Sequence, residues 1–233
     1  MDPCLRRAFR ALIFLCLAFL LQGCGTKRNT PLSRNWQAFT TRYNVYFNGS
    51  EHLKEQLAMM EDTYEDDFTR RLPVHPAEAR ADSRRPQPAG DFRRTIEKMQ
   101  KAIQLHSITR KPRRRGSSAE EKAFREREEF NPFLHNAWMM MGEAQYLNGD
   151  FTGAATTFLY ISRHFRWLPE VVTEARLRQA LCYCALDLVY EAENVLHTVR
   201  EKDLTDPQLR RLYDLAMACL LYTSPSPRDV EES

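Results

Sequence analysis

The chain has 233 residues, which is enough to bury a substantial core in one or two domains. Its composition, 43% hydrophobic and 28% charged with only eight glycines, excludes a collagen-like chain and argues against disorder throughout or a disulfide-stapled scaffold. The formal net charge is +3, but three arginines and one aspartate lie in the first 23 residues, which leaves +1 for the remainder. This balance gives no reason to expect a nucleic-acid partner.

The N-terminus has the features of a bacterial lipoprotein signal. Three arginines precede the apolar run Ala11 to Leu21, which is too short to span a bilayer comfortably. The run ends in Leu21-Gln22-Gly23-Cys24, which resembles a lipobox, the motif in which a cysteine receives the lipid. The sequence therefore predicts a signal peptide over 1–23, lipidation of Cys24 and a polar tether over 24–32. The alternative is an ordinary secretory signal cleaved at the same glycine, with the cysteine unmodified.

The remaining cysteines show no pattern of metal ligands or disulfide partners. Cys182 and Cys184 are two positions apart in a helical pattern, so they face different directions and cannot easily pair with each other. We expect these two residues and Cys219 to fill small spaces in the core. No CxxC pair is present, and the sequence predicts no metal site.

Apolar residues at helical spacings predict two helices between residues 33 and 70. The first runs from Ser33 to Phe47 and the second from Ser50 to Phe68, with Asn48-Gly49 between them. The residues that carry the two patterns are Trp36, Phe39, Tyr43, Tyr46 or Phe47, then Leu53, Leu57, Met60 and Tyr64. We predict that Asn48-Gly49 breaks the helix and that 33–70 forms an αα-hairpin.

A linker region with one or two helices is predicted over 71–130. It opens with a proline-rich stretch, and the apolar pattern of Asp91 to His106 then predicts an amphipathic helix. Five cations follow within the six residues Arg110 to Arg115, and Ser118 to Glu121 fits a capping box that opens a charged helix. For an exported protein, the basic run favours a solvated loop or contact with anionic lipid or glycan over nucleic acid.

The residues from 131 to 222 resemble tetratricopeptide repeats. Asn131-Pro132 is a good helix start, and four residues then match the repeat pattern of two packed helices: Trp138, Gly142, Ala154 and Phe158. We expect the two small residues to lie where the helices cross and the two aromatic residues to fill the space beside that crossing. A weaker second copy of the repeat aligns Ala192 with Ala154. Asp206-Pro207 then begins the first helix of a third repeat.

The pattern predicts an incomplete helical solenoid. Residues 223–233 abandon it, and we expect them to be a non-native or disordered tail; a natural proline-stopped tail is the alternative.

Sequence motifs of catalysis are not found. The chain has no HExxH, no glycine-rich phosphate loop and no GxSxG, and its six histidines are scattered. We therefore expect no enzymatic activity, no cofactor, no metal and no small-molecule substrate.

Four segments outside the repeats carry a resemblance to a known family. In chain order they are Thr41 to Gly49, Leu72 to Pro76, Lys101 to Ile108 and Glu129 to Phe133. In order and spacing they resemble the SprE/PorW lipoproteins of the Bacteroidota. The resemblance implies a periplasm-facing, lipid-anchored outer-membrane protein of the type IX secretion machinery, needed for secretion and, in gliding species, for motility. Members of that family are longer, so the chain resembles their N-terminal part.

Together these patterns predict an all-α protein, with an αα-hairpin followed by a tetratricopeptide-like solenoid. The expected function is a non-catalytic scaffold whose partners are subunits of the secretion machinery, bound in the groove lined by the first helix of each repeat. Two alternatives stay open. One is a repeat lipoprotein of outer-membrane β-barrel assembly, and the other is an accessory repeat module of a periplasmic enzyme.

Overall fold

A computed structural model describes residues 28–113 and 117–223. Within these ranges the chain forms nine α-helices and no β-strand, so the predicted all-α class is confirmed. The predicted signal peptide, Cys24 and nearly all of the predicted tail lie outside the described residues. None of the described helices is long and apolar enough to cross a membrane.

The helices follow one another with short connections in the second half of the chain. They are α1 (Pro31–Thr40), α2 (Phe47–Thr63), α3 (Arg93–His106), α4 (Ala119–Glu126), α5 (Leu134–Leu147), α6 (Phe151–His164), α7 (Pro169–Ala185), α8 (Val189–Leu196) and α9 (Pro207–Thr223). A π-helical segment, Thr41–Tyr46, joins α1 to α2 without a break, and short 3-10 helices span Pro76–Ala81 and Glu201–Asp203.

The predicted αα-hairpin over 33–70 is wrong, because the chain continues as one helical rod from Pro31 to Thr63. At a rise of 1.5 Å per residue the rod is about 50 Å long. Asn48, predicted to break the helix, donates its side-chain amide to the Asn44 carbonyl one turn earlier. Gly49 is buried, and a Cβ there would overlap the methyl group of Met99 on α3. The glycine therefore allows α3 to pack closely and does not turn the chain.

The helix starts agree closely with the sequence. Ser118 and Glu121 form the predicted capping box of α4, with hydrogen bonds in both directions. Gly149 turns the chain with a φ of +84°, and Asp150 caps α6 by accepting the Gly153 N–H. Helix α5 begins at Leu134, later than the predicted start, because the residues just before it form a turn capped by the preceding asparagine.

Packing follows chain order. Helix α3 lies against both the long rod and α5, and α5 packs on α6, α6 on α7, and α7 on α8 and α9. The buried apolar residues form three clusters, the first around Phe92, Met99 and Leu134, the second around Phe158 and Ile161, and the third between α7, α8 and α9.

The cysteines of the described chain fill core positions, as predicted. Cys182 packs in the cluster between α6 and α7, whereas Cys184 and Cys219 pack in the cluster between α7 and α9. All three are free and buried. Burial raises the pKa of the Cys184 thiol to about 11 and that of the Cys219 thiol to about 12, so both are protonated at neutral pH.

Candidate functional site

The residues predicted to pack the first repeat lie at the contact between α5 and α6. A Cβ at Gly142 would lie 2.7 Å from Cε1 of Phe158, so only glycine fits against that ring without a shift. Ala154 and Phe158 are buried together in the same cluster. Trp138 is partly buried, and its ring lies 4.4 Å from that of Tyr160. The structure thus brings the Gly142 backbone onto the aromatic ring of α6.

A groove runs between α5, α7 and α9, and a segment of the chain itself forms one of its walls. This wall segment spans residues 72–78, from the proline-rich stretch into the first 3-10 helix. Between the wall segment and the three helices lies a cavity of about 200 Å³. Its lining combines apolar and charged side chains: Val74, His75, Glu78, Glu143, Tyr146, Leu147, Phe158, Arg178, Leu181, Leu212 and Leu215.

Glu78 fastens the wall segment to α5. One carboxylate oxygen accepts the Tyr146 hydroxyl at 3.0 Å, and the other accepts the backbone N–H of Val74 at 2.8 Å. Burial raises the pKa of Glu78 above its usual value, and burial together with the nearby carboxylate raises the pKa of Tyr146 well above its own. The His75 ring also meets the Tyr146 ring edge-on, with centroids 6.0 Å apart.

The other end of the wall segment is held by α9. The Tyr222 hydroxyl donates to the Leu72 carbonyl at 3.1 Å, and the Arg71 guanidinium lies 4.4 Å from the centre of the Tyr222 ring. The segment therefore spans from α9 to α5 across the groove. The attachment to α9 includes a hydrogen bond to the main chain of the segment, whereas the attachment to α5 uses the Glu78 side chain.

Next to this cavity the groove is polar. Arg178 of α7 lies between two carboxylates, with Nε 2.8 Å from Glu174 and Nη1 3.6 Å from Glu143. Burial disfavours the guanidinium charge, but the two carboxylates outweigh it and raise the pKa of Arg178. A second cavity of about 250 Å³ continues along these residues toward Tyr46 and His135. The groove therefore offers an apolar part and a charged part side by side.

Three of the four family-like segments meet in a buried polar junction, centred on Glu129. This residue is only 4% exposed, yet its carboxylate accepts four hydrogen bonds. One oxygen accepts the backbone N–H groups of Ile108, Phe130 and Asn131 at 2.7 to 2.9 Å, and the other accepts the Ser107 hydroxyl at 2.5 Å. The buried charge is thus fully hydrogen-bonded and connects the end of α3 to the start of α5.

Asn131 extends the junction to the long rod. Its side-chain amide donates to the Thr41 hydroxyl at 3.1 Å and to the His106 carbonyl at 3.0 Å. The His106 ring in turn lies 2.6 Å from the side-chain oxygen of Gln37. Burial lowers the pKa of His106, which favours the neutral ring. Sequence reasoning singled out these segments, but it did not find that they share one set of hydrogen bonds.

The long rod presents large aromatic side chains to solvent. Five residues on one side of it are between 56% and 81% exposed: Leu32, Trp36, Phe39, Tyr43 and Phe47. Neighbouring rings touch, with centroids 6.4 Å apart for Trp36 and Phe39 and 4.8 Å apart for Phe39 and Tyr43. We call this set the aromatic stripe. The spacing of these residues was visible in the sequence, but their exposure was not.

The basic run that begins at Arg110, described by the structure as far as Arg113, lies beside the first turn of α1. We call its described part the basic loop. The Asn29 side chain donates to the Arg110 carbonyl at 2.8 Å and accepts from Arg34 at 2.6 Å. A cavity of about 700 Å³ lies between this loop, the start of α1 and α4. Its charged lining consists of five cations and two carboxylates: Arg28, Arg34, Arg110, Lys111, Arg113, Glu120 and Glu121. We call this set the cationic cluster.

The polar groups of the groove and the junction suit noncovalent binding. The groove offers a small apolar cavity and the fixed Arg178 charge, and beside it the Tyr222 hydroxyl donates to a main-chain carbonyl, so these groups together can bind a polypeptide segment. Over the residues that the structure describes, no group of three His, Cys, Asp or Glu could hold a metal ion. Comparison with known protein families finds none that matches the chain, and no curated protein matches it either.

Proposed function

We propose that this chain is a non-catalytic scaffold of the type IX secretion system, an outer-membrane lipoprotein that faces the periplasm and binds partner proteins through tetratricopeptide-like repeats. Cys24 carries the lipid anchor in this proposal, and subunits of the secretion machinery are the partners. The observation that carries it is the wall segment, because the groove already binds a stretch of polypeptide, its own residues 72–78, which run without regular structure into the first 3-10 helix.

The order of helix packing supports the repeat assignment. Helices α5 and α6 form one pair and α7 and α8 the next, and each pair packs on its neighbour in chain order. The groove is lined mostly by α5, α7 and α9, the first helices of successive pairs, together with Phe158 of α6, and the repeat pattern predicts a groove along the first helices. The close contact of Gly142 with Phe158 is of the kind expected within such a pair.

The link to type IX secretion rests on the four family-like segments. Three of them share the hydrogen bonds of Glu129 and Asn131, and the fourth contributes Leu72 to Pro76 of the wall segment. Each segment therefore takes part in a contact between distant parts of the chain. A repeat domain alone would not explain them, since three lie outside the repeats and Glu129 to Phe133 overlaps only their first three residues.

Deletion of the gene in its host tests the secretion role. We expect cargo with type IX C-terminal signals to stay inside the cell envelope while β-barrel proteins still assemble. Normal cargo at the cell surface would contradict the proposal, and loss of barrel proteins would favour the β-barrel assembly alternative instead.

Partner binding in the groove is tested by substituting one exposed leucine on α9. Leu215→Asp places a charge in the apolar part of the groove, and we expect it to abolish recovery of secretion-machinery subunits in a pull-down. Leu105→Asp is the matched control, because Leu105 is similarly exposed but lies on α3. Equal recovery with both variants would show that partners do not bind in this groove.

The anchor is tested separately. Cys24→Ala should abolish labelling by a fatty-acid analogue and release the protein into the soluble periplasmic fraction. Unchanged labelling would contradict lipidation at this cysteine and leave the groove experiment unaffected.

A further inference from the structure

The first half of the long rod buries polar residues and exposes apolar ones, which is the reverse of an ordinary helix of a water-soluble protein. Gln37 and Thr41 are its most buried residues, whereas the aromatic stripe, Leu32 to Phe47, faces solvent. Thr41 donates to the Gln37 carbonyl and accepts from Asn131, so its polar atoms are paired inside the protein. A helix normally buries its apolar side, and a run of exposed aromatic residues marks a surface that contacts something else.

The stretch of sequence that carries the aromatic stripe contains only positive charges, and the cationic cluster beside it has five cations against two carboxylates. From Cys24 to Ser50 there is no aspartate or glutamate, while four cations occur: Lys27, Arg28, Arg34 and Arg42. The Arg42 guanidinium lies 5.3 Å from the centre of the Tyr43 ring, so a cation flanks the stripe directly. The cationic cluster stands at the N-terminal end of the same helix and adds Arg110, Lys111 and Arg113.

The charge changes sign where the stripe ends. The first acidic residue of the rod is Glu51, and Glu55, Glu61 and Asp62 follow. The rod therefore has a basic, aromatic half and an acidic half. An anionic surface would attract the first half and repel the second.

We propose that the aromatic stripe and the cationic cluster together form a docking surface for an anionic phospholipid membrane. Trp and Tyr side chains are favoured at the boundary between lipid headgroups and acyl chains, and basic residues are attracted to anionic headgroups. An amphipathic helix with these residue types lies in the plane of the membrane surface. The place of this surface in the cell rests on the proposed anchor, since Arg28 is only four residues after Cys24.

Charge complementarity favours a membrane over a second copy of this chain. In a symmetric dimer through the stripe with parallel rods, like charges from Arg42 and the cationic cluster would face one another, and with antiparallel rods the cluster of one copy would meet only Glu51 and Glu55 of the other. An anionic membrane instead neutralises all of them at once. The stripe also extends for about 20 Å along one side of the rod, from α1 through the π-helical segment to the start of α2.

The test uses the chain from Gly25 onward without lipid, so that binding depends on the protein surface alone. We expect it to sediment with phosphatidylcholine vesicles that contain phosphatidylglycerol and to remain in solution with pure phosphatidylcholine. Added salt should weaken the binding. Brominated lipid should quench tryptophan fluorescence in the parent chain, and the variant Trp36→Phe should lose this quenching.

Variants separate the two components of the surface. Trp36→Ser with Phe39→Ser should reduce vesicle binding at least tenfold. Each basic residue of the cluster changed to glutamine should reduce it about fivefold, the factor that corresponds to about 1 kcal/mol per charge near an anionic surface. Phe68→Ser with Tyr190→Ser is the matched control, because these two aromatic residues are more exposed than Trp36 and Phe39 and lie outside the stripe. The control should bind like the parent chain.

Several results would overturn the proposal. These are no difference between the two vesicle types, equal losses in the stripe variant and the control, or concentration-dependent dimers that the stripe variant abolishes. Urea midpoints of all variants show whether they are folded. Failure of vesicle binding would leave the secretion phenotype of the gene deletion untouched, so this inference and the scaffold role fail separately.

Discussion

Removing the Glu129 carboxylate should destabilise the whole described structure, because it would leave buried backbone donors without partners. Glu129→Ala deprives the N–H groups of Ile108 and Asn131 of their acceptor, whereas the Phe130 N–H keeps its bond to the Ile108 carbonyl. Each unsatisfied buried donor costs about 1 to 3 kcal/mol. For two such donors, and since water can enter part of the space left by the side chain, we expect a total loss of about 2 to 4 kcal/mol of unfolding free energy.

Glu129→Gln should cost much less, although it removes the same charge. The amide oxygen can still accept the three backbone N–H groups, and the amide nitrogen can donate to the Ser107 hydroxyl, which rotates to accept it. Only the extra strength of hydrogen bonds to an ionised group is lost, which is worth about 1 kcal/mol. Both variants remove the same charge. A larger loss of unfolding free energy in Glu129→Ala than in Glu129→Gln therefore measures the hydrogen bonds and not the net charge.

Urea unfolding of the chain from Gly25 onward, followed by circular dichroism, measures both losses. Glu126→Ala is the control, because Glu126 is an exposed glutamate at the end of α4, and it should change stability by less than about 0.5 kcal/mol. If Glu129→Ala and Glu129→Gln lost the same free energy, or if Glu129→Ala matched the control, the junction would not have the structural role that its geometry indicates.

Two further predictions concern stability. Ala154→Leu should cost about 1 to 3 kcal/mol in urea unfolding through overpacking, whereas Thr156→Leu on the exposed side of the same helix should change stability by less than about 0.5 kcal/mol. Burial lowers the pKa of three histidines, namely His75, His106 and His135. The folded chain then binds fewer protons than the unfolded chain near pH 6.5, so stability should fall as the pH is lowered from about 7.5 to 5.5. Urea midpoints that stay constant or rise over this range would contradict it.

The sequence predicted the second half of the fold better than the first. In the second half, the helical period, the turn glycine and the capping residue all indicate the same helix boundary, as at Gly149 and Asp150. The short connections between the helices also leave few alternative arrangements. The hairpin prediction failed because Asn-Gly is a strong local turn signal. At this position the glycine is needed instead for the close approach of Met99, which is distant in the sequence. Contacts between residues far apart in the chain are not visible in local patterns.

The candidate surfaces were only partly predictable for the same reason. Helical spacing identified Trp36, Phe39 and Tyr43 as one side of a helix, but periodicity does not tell which side faces solvent. That side is decided by the polar partners of Thr41, which come from the distant Asn131. The groove was expected from the repeat pattern, but the wall segment within it was not, because a proline-rich stretch gives no signal of where it packs.

The wall segment constrains how a partner can use the groove. Its attachments include the Glu78–Tyr146 and Tyr222–Leu72 hydrogen bonds, each worth about 1 kcal/mol net. A partner that displaced the segment would lose at least this stabilisation, and a cost of about 2 to 3 kcal/mol lowers apparent affinity about 30- to 150-fold. A partner that binds beside it, against the exposed Leu215 and the fixed charge of Arg178, avoids this cost. The second mode is therefore energetically favoured, with the wall segment acting as part of the binding surface.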